Sequence, residues 1–129
     1  MDAGPNSMLI QITDPTDNFP TPKFKFKEIH QFEFLDGEIP SETVPEEFLI
    51  TEEQAKKIAE LLIKAFKNKM NVVVHCQAGI CRSGAVVEAG SIIGFTPSDR
   101  NFRIPNWLVK KKIIEAFEDN PEFDELISR

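Results

Sequence analysis

The residues of this chain best suited to chemistry lie in one stretch, whose sequence is His75-Cys76-Gln77-Ala78-Gly79-Ile80-Cys81-Arg82-Ser83-Gly84. A cysteine and an arginine, Cys76 and Arg82, stand at the two ends of a short loop. The apolar run before this loop predicts a strand, and a helix is predicted to begin near Ser83. Because N–H groups at a helix start favour an anion, the arrangement indicates a phosphate cradle with a thiolate at its centre.

A thiolate and a guanidinium at this spacing suit the hydrolysis of a phosphate ester. The planar fork of Arg82 can hold two phosphate oxygens at once, a geometry that lysine lacks. The same positive surroundings favour the thiolate form of Cys76, which is the nucleophilic form. Its attack on phosphorus would divide the hydrolysis into two displacements through a cysteinyl-phosphate. Ser83 is placed to donate a hydrogen bond to the sulfur, which would help the thiolate leave.

The other residues of the stretch decide how specific the motif is. Ala78 and Gly79 are small enough to let backbone N–H groups converge on an anion. His75 should point to the opposite side of the strand from Cys76, so we interpret it as a residue that orients the loop rather than as a base. A bare C-x5-R spacing is weak evidence, and its alternative is a buried cysteine in an ordinary β–α turn. The strand before it and the helix after it favour the cradle.

The positions and spacing of the cysteines and histidines indicate the redox compartment and whether a metal is bound. Both cysteines lie in this stretch, so they cannot tie distant segments together, and we expect a reduced, cytoplasmic protein. Cys81 is interpreted as a small apolar filler, or alternatively as a resolving thiol that traps oxidised Cys76 as a disulfide. His30 is interpreted as a core or edge histidine. The spacings do not match a zinc site, so we expect no metal and no other cofactor.

The elements before the motif are predicted from periodicity. Residues 8–13 predict a strand. A second strand, or two, with a buried aromatic face is predicted by phenylalanines at even positions, namely Phe24, Phe26, Phe32 and Phe34. A helix opens at Thr51, which has capping-box spacing to Gln54. The apolar strand 71–75 lacks alternation, so we expect it to be covered on both faces.

The elements after the motif complete the fold class. A helix is predicted over 83–93 with Gly94 as its stop. The next helix is predicted to place Trp107 and Ile114 in the core, and Pro121 starts a last short helix. Strands alternating with helices predict a single α/β domain. We expect a central, mostly parallel sheet of about four strands flanked by helices.

Composition excludes several classes of protein. The chain has 129 residues, 41% of them hydrophobic, which fits one domain over 8–129. Residues 1–7 are interpreted as a flexible leader or a remnant of cloning. The net charge is −6 and no basic stripe is evident, so we expect no nucleic-acid partner. No apolar run approaches 18 residues, so we expect no membrane partner.

The motif His75-Cys76-x5-Arg82-Ser83-Gly84 resembles the signature of the cysteine-dependent protein tyrosine phosphatase superfamily. The chain is most similar to the small dual-specificity branch, among the compact phosphatases of bacteria and phages. A looser similarity extends from Ile10 to Phe117. The resemblance implies a phosphatase domain over 8–129 with a parallel sheet flanked by helices, no metal, and a phosphorylated protein or peptide as substrate.

The resemblance also assigns a role to each residue of the motif. Cys76 is the nucleophile, Arg82 binds the phosphoryl group, and Ser83 assists breakdown of the intermediate. The backbone amides that hold the phosphate belong to Gln77, Ala78, Gly79, Ile80, Cys81 and Arg82. The general acid is Asp36, which stands where a strand gives way to a loop.

The general acid has alternatives within the chain. Asp36 precedes Gly37, so it also fits a solvated turn residue. The other carboxyl groups considered are Glu38, Asp14 and Asp17. The chain lacks the Trp-Pro-Asp tripeptide of tyrosine-specific phosphatases.

The motif indicates a phosphomonoester hydrolase, and the resemblance implies that it acts on phosphoproteins. Phosphotyrosine is the expected substrate, with phosphoserine and phosphothreonine as further candidates. The loop from Gln77 to Cys81 has no lysine, which argues against a polyphosphorylated lipid head group. The alternatives are a phosphate-binding module with little turnover, and sulfur or arsenate chemistry on a similar loop.

Overall fold

The computed structural model of the chain describes residues 6–13, 19, 21–22, 25–34, 49–76, 81–95 and 107–127, with side chains for all of these except 81–84 and 126–127. The described elements, in chain order, are strand β1 (Ser7–Thr13), strand β2 (Glu28–Glu33), helix α1 (Glu52–Lys67), strand β3 (Asn71–Cys76), helix α2 (Cys81–Ile93), helix α3 (Trp107–Glu118) and helix α4 (Pro121–Ile127). The predicted α/β class is confirmed. No helix in the described part of the chain is both long and apolar enough to cross a membrane.

The three strands form one parallel sheet in the order β2-β1-β3. In its register Ile12 lies opposite Phe32 on one side and opposite Cys76 on the other. The prediction was a sheet of about four strands, whereas the described residues form three. Parallel pairing brings the carboxyl ends of all three strands to one edge, which we call the carboxyl edge.

The most buried strand is β1 rather than β3. All seven residues of β1 are buried, because β1 has a strand on each side. Val72, Val73 and Val74 of β3 are only half-buried, so the prediction that this strand is covered on both faces is wrong for the described residues. An unbroken valine run is apolar enough for the centre of a sheet, but hydrophobicity alone does not determine which strands lie beside it.

The two faces of the sheet differ in chemistry. Met8, Ile10 and Ile12 belong to the main core cluster, together with buried residues of all four helices. The alternate residues of β1 are also buried, but three of them are polar: Ser7, Gln11 and Thr13. On this second face Gln31 Nε2 of β2 donates a hydrogen bond of 3.1 Å to Gln11 Oε1.

A capping box begins α1, as the sequence predicts. The Gln54 backbone N–H donates to Thr51 Oγ1 at 3.1 Å, and the Thr51 N–H donates to Gln54 Oε1 at 2.9 Å. Gln54 Nε2 also donates to the backbone oxygen of Glu33 at 2.9 Å. Since Glu33 is the last residue of β2, this contact fixes the start of α1 at the carboxyl edge.

The observed starts of three elements differ from the predicted ones. β1 begins at Ser7, which is fully buried and lies within the segment predicted to be a leader. α2 begins at Cys81, two residues before the predicted Ser83. Phe34 is buried and Phe32 half-buried, as the predicted aromatic face requires, but β2 begins at Glu28, and Phe24 lies outside the described residues.

The prediction that Trp107 lies in the core is wrong. Its side chain is 57% exposed. The buried residues of α3 are Val109, Ile113 and Phe117, and Val109 is about 200° around the helix from Trp107 at about 100° per residue. The core stripe of α3 therefore lies almost opposite to Trp107.

Gly94 ends α2, as predicted, with a φ of 122°. A Cβ here would lie 2.6 Å from Phe66 Cζ and 2.7 Å from Phe66 Cε1. Gly94→Ala should therefore lower the free energy of unfolding by about 3 kcal/mol, through backbone strain and a clash with the ring. Urea unfolding of both proteins measures the difference.

Gly90→Ala is the matched control for that change. A Cβ at Gly90 would lie 3.4 Å from Phe95 Cδ2 and 3.8 Å from Leu62 Cδ2, which are ordinary contacts. Alanine also favours a helix interior over glycine by about 1 kcal/mol, so this variant should be as stable as the wild type or slightly more so. Equal losses in the two variants would contradict the assignment of Gly94.

Candidate functional site

Cys76 is the last residue of β3 and lies at the carboxyl edge of the sheet. Its side chain is 1% exposed and belongs to the main core cluster. The neighbouring His75 is exposed, so the two side chains lie on opposite sides of the strand, as predicted from the alternation of side chains. Cys76 therefore lies within the core rather than on the open surface.

Helix α2 begins at Cys81, five positions after Cys76. Its first turn contains Arg82 and Ser83, and no acidic residue lies in that turn. The first N–H groups of a helix have no partner within the helix, so they are available to an anion. The buried residues Ala85, Val86 and Ala89 pack α2 into the core, where α2 contacts β3.

The backbone thus brings the nucleophile candidate and the arginine candidate to the same strand–helix junction. The side chains of Arg82, Ser83 and Cys81 are not described, so their predicted roles stay predictions. The predicted loop residues Gln77, Ala78, Gly79 and Ile80 lie outside the described residues. So do the predicted general acid Asp36 and its alternatives, Glu38, Asp14 and Asp17.

Thr13 is a buried polar residue at the carboxyl edge that the sequence analysis did not single out. It is 3% exposed, and among the described residues its Oγ1 has no hydrogen-bond partner. Thr13 follows Ile12, which is opposite Cys76 in register, so its side chain lies on the other face of the sheet from the thiol. The sequence shows a threonine at the end of an apolar strand, but it does not indicate that the hydroxyl is buried.

A charged cluster on β2 lies away from this junction. Lys64 Nζ is 2.8 Å from Glu28 Oε2, and His30 Nε2 is 2.9 Å from Glu28 Oε1. His30 is therefore the edge histidine that the sequence predicts, with a carboxylate partner. Hydrogen bonds from Lys64 and then from His30 hold the pKa of Glu28 below its ordinary value. The unfolded chain binds this proton more tightly, so the cluster stabilises the fold at neutral pH, and this contribution is lost as the pH falls through the lowered pKa.

A cavity of about 490 Å³ lies between α1 and the end of α3. Its lining mixes carboxylates with two lysines, Lys56 and Lys112, and includes neither Cys76 nor any residue of α2. Mixed charges of this kind are typical of a solvated groove, so the cavity is separate from the site predicted around Cys76. In the described part of the chain, no group of three or more His, Cys, Asp or Glu side chains could hold a metal ion.

No protein-family model matches the chain, and no curated protein matches it.

Proposed function

We propose that this protein is a phosphomonoester hydrolase that acts on phosphoproteins through a cysteinyl-phosphate intermediate. The observation that carries the proposal is the junction between β3 and α2. Cys76 ends a strand of the parallel sheet, and a helix with Arg82 in its first turn begins at Cys81. Ligands of open α/β sheets bind beyond the carboxyl ends of the strands, which is where this junction lies.

The first chemical step joins the phosphorus to the sulfur. The phosphate dianion binds to the backbone N–H groups of the loop and to the guanidinium of Arg82. The thiolate of Cys76 attacks phosphorus, a P–S bond forms, and the P–O bond to the substrate breaks. The leaving oxygen takes a proton from a carboxylic acid, a role for which we propose Asp36.

The second step releases phosphate. The carboxylate left by the first step takes a proton from water, and the water oxygen attacks phosphorus as the P–S bond breaks. A hydrogen bond from Ser83 stabilises the departing thiolate of Cys76. The products are inorganic phosphate and the regenerated thiolate, and the carboxyl group carries its proton again.

The finer features of the family belong to the same proposal. A dual-specificity-like architecture with a fourth strand would place the acid loop and the cysteine loop at one edge of a parallel sheet. The parallel order β2-β1-β3 with helices is compatible with that architecture. A reduced compartment such as the cytoplasm suits a thiolate nucleophile, because oxidation would disable it.

The substrate class follows from the charge and size of the loop. No lysine lies between Cys76 and Arg82, so the loop can bind one phosphate but has no side-chain cation for a second. The burial of Cys76 supports phosphotyrosine as the substrate, because its longer side chain carries the phosphate further inward. Phosphoserine and phosphothreonine remain further candidates.

The second candidate function is a phosphate-binding module with little turnover. The burial of Cys76 favours it, because a small inward-facing residue at the base of an anion site can serve binding alone. The two functions are separated by measuring both hydrolysis of p-nitrophenyl phosphate in the presence of a chelator and calorimetric binding of a phosphotyrosine peptide. Turnover supports the hydrolase. Peptide binding without turnover supports the module, and neither activity would reject both.

A further inference from the structure

The first residue of α3 presents an aromatic surface with a cation against it. Trp107 is 57% exposed, and Lys111 Nζ lies 5.0 Å from the centre of its ring. The next lysine on the N-terminal side, Lys110, is neutralised by Glu88 at 3.2 Å. Among the described residues Lys111 forms no salt bridge, so its charge is available to an anion beside the exposed indole.

This surface lies toward the edge of the sheet that carries Cys76. α1 begins at that edge, through the contact from Gln54 to Glu33. α1 ends at Lys67, whose Nζ is 3.4 Å from Glu122 in α4, and α4 follows α3 in the chain. The end of α3 therefore lies beside the end of α1. Both helices run away from the carboxyl edge, and Trp107 at the start of α3 lies near it.

The contact between α2 and α3 indicates how far the start of α3 lies from the β3–α2 junction. Lys110, in the first turn of α3, binds Glu88 of α2. Glu88 lies about 10 Å along α2 from Cys81, at about 1.5 Å per residue. An extended peptide covers that length with about three residues. Trp107 is one helical turn before Lys110, so a site that includes it would lie a few residues along the substrate from a phosphate at the β3–α2 junction.

We propose that Trp107 and Lys111 form a flank site, which binds an acidic residue of the phosphoprotein substrate a few positions from the phosphorylated residue. The carboxylate pairs with Lys111, and the apolar atoms of the substrate lie against the indole. The chain as a whole is acidic, with a net charge of −6, so a local cation is needed for an acidic substrate to bind. This inference rests on the proposed function, because it needs a phosphate at the β3–α2 junction.

Steady-state kinetics on two phosphotyrosine peptides test the flank site. The peptides are identical except for a glutamate or a glutamine three positions from the phosphotyrosine. The wild type should have a lower KM for the glutamate peptide, by about fivefold, and this preference should shrink as salt is added. Lys111→Gln should abolish the preference. Trp107→Ala should raise KM for both peptides about tenfold, and Trp107→Phe should recover most of that loss.

The matched control is Lys69→Gln, which makes the same change of charge at the opposite edge of the sheet, just before β3. It should keep the full preference for the glutamate peptide. The one tryptophan of the chain gives a second readout, since its fluorescence in the Cys76→Ser variant should change on titration with the glutamate peptide.

The possible failures can be told apart. If the wild type hydrolyses both peptides with equal kcat/KM, or if Lys69→Gln loses the preference as Lys111→Gln does, the flank site is wrong and the proposed function stands. If the wild type hydrolyses neither the peptides nor p-nitrophenyl phosphate, the proposed function is wrong and the flank site falls with it.

Discussion

Cys76→Ser should abolish hydrolysis of p-nitrophenyl phosphate, with a loss in kcat of about 10⁴-fold or more. A serine hydroxyl is un-ionised at neutral pH, so it is a far weaker nucleophile than a thiolate, and an alkoxide is a poor leaving group in the second step. Release of p-nitrophenolate at pH 6 to 7, with a chelator present, measures the loss.

Binding separates loss of chemistry from loss of the fold in this variant. Cys76 lies in the core, and replacing a buried thiol with a hydroxyl costs about 1 kcal/mol of stability. The variant should remain folded by circular dichroism and should still bind phosphate through the loop amides and Arg82. Metal-free turnover that survived in Cys76→Ser, and also in Cys76→Ala, would reject the cysteinyl-phosphate mechanism.

Asp36→Asn should lower kcat by about 10²- to 10³-fold and flatten one limb of the pH–rate profile. A general acid acts only while protonated, so the wild-type rate should fall as the pH rises through the pKa of that acid in the enzyme–substrate complex. An asparagine has no such proton, so this fall should disappear. Phenyl phosphate is the better substrate for this measurement, because phenolate needs a proton to leave more than p-nitrophenolate does.

Glu38→Gln is the matched control for Asp36→Asn, since it removes a neighbouring carboxyl group from the same segment. It should retain the wild-type profile. If Asp36→Asn kept the full pH-dependent fall, Asp36 would not be the general acid. The pH–rate profiles of Glu38→Gln, Asp14→Asn and Asp17→Asn would then show which carboxyl group is the general acid.

Features set by neighbouring residues were predictable from the sequence. The capping box of α1 needs only Thr51 and Gln54, three residues apart, and both of its hydrogen bonds are present. Gly94 ends α2 and Pro121 begins α4 for equally local reasons, because one permits a positive φ and the other suits the first turn of a helix.

Features set by packing between elements were not predictable. Trp107 and Ile114 share one side of α3, and their spacing fits a buried stripe as well as it fits an exposed one. The helices beside α3 decide which residues are buried. They bury Val109 and Ile113, whereas Ile114 is half-buried and Trp107 is exposed. In the same way the valines of β3 gave no sign that β1 would take the central position in the sheet.

The same distinction between local and long-range features applies to the candidate site. The position of Cys76 at a strand end, followed closely by a helix, was predictable because the motif is continuous in sequence. The buried hydroxyl of Thr13 was not, since its burial depends on strands and side chains far away in the chain. A general acid such as Asp36 must come from a separate segment, so a continuous motif contains no information on which carboxyl group approaches the thiol.

The strand order has a consequence for how the protein folds. β1 and β2 pair early in the chain, but the other side of β1 waits for β3, whose Asn71 lies opposite Ser7. Contacts between residues so distant in sequence raise the contact order, and the entropy of closing that long loop opposes folding until the strand is in place. Cys76 lies opposite Ile12 at the end of β3, so its burial depends on this long-range pairing. In the unfolded chain the thiol is open to an oxidant in solution.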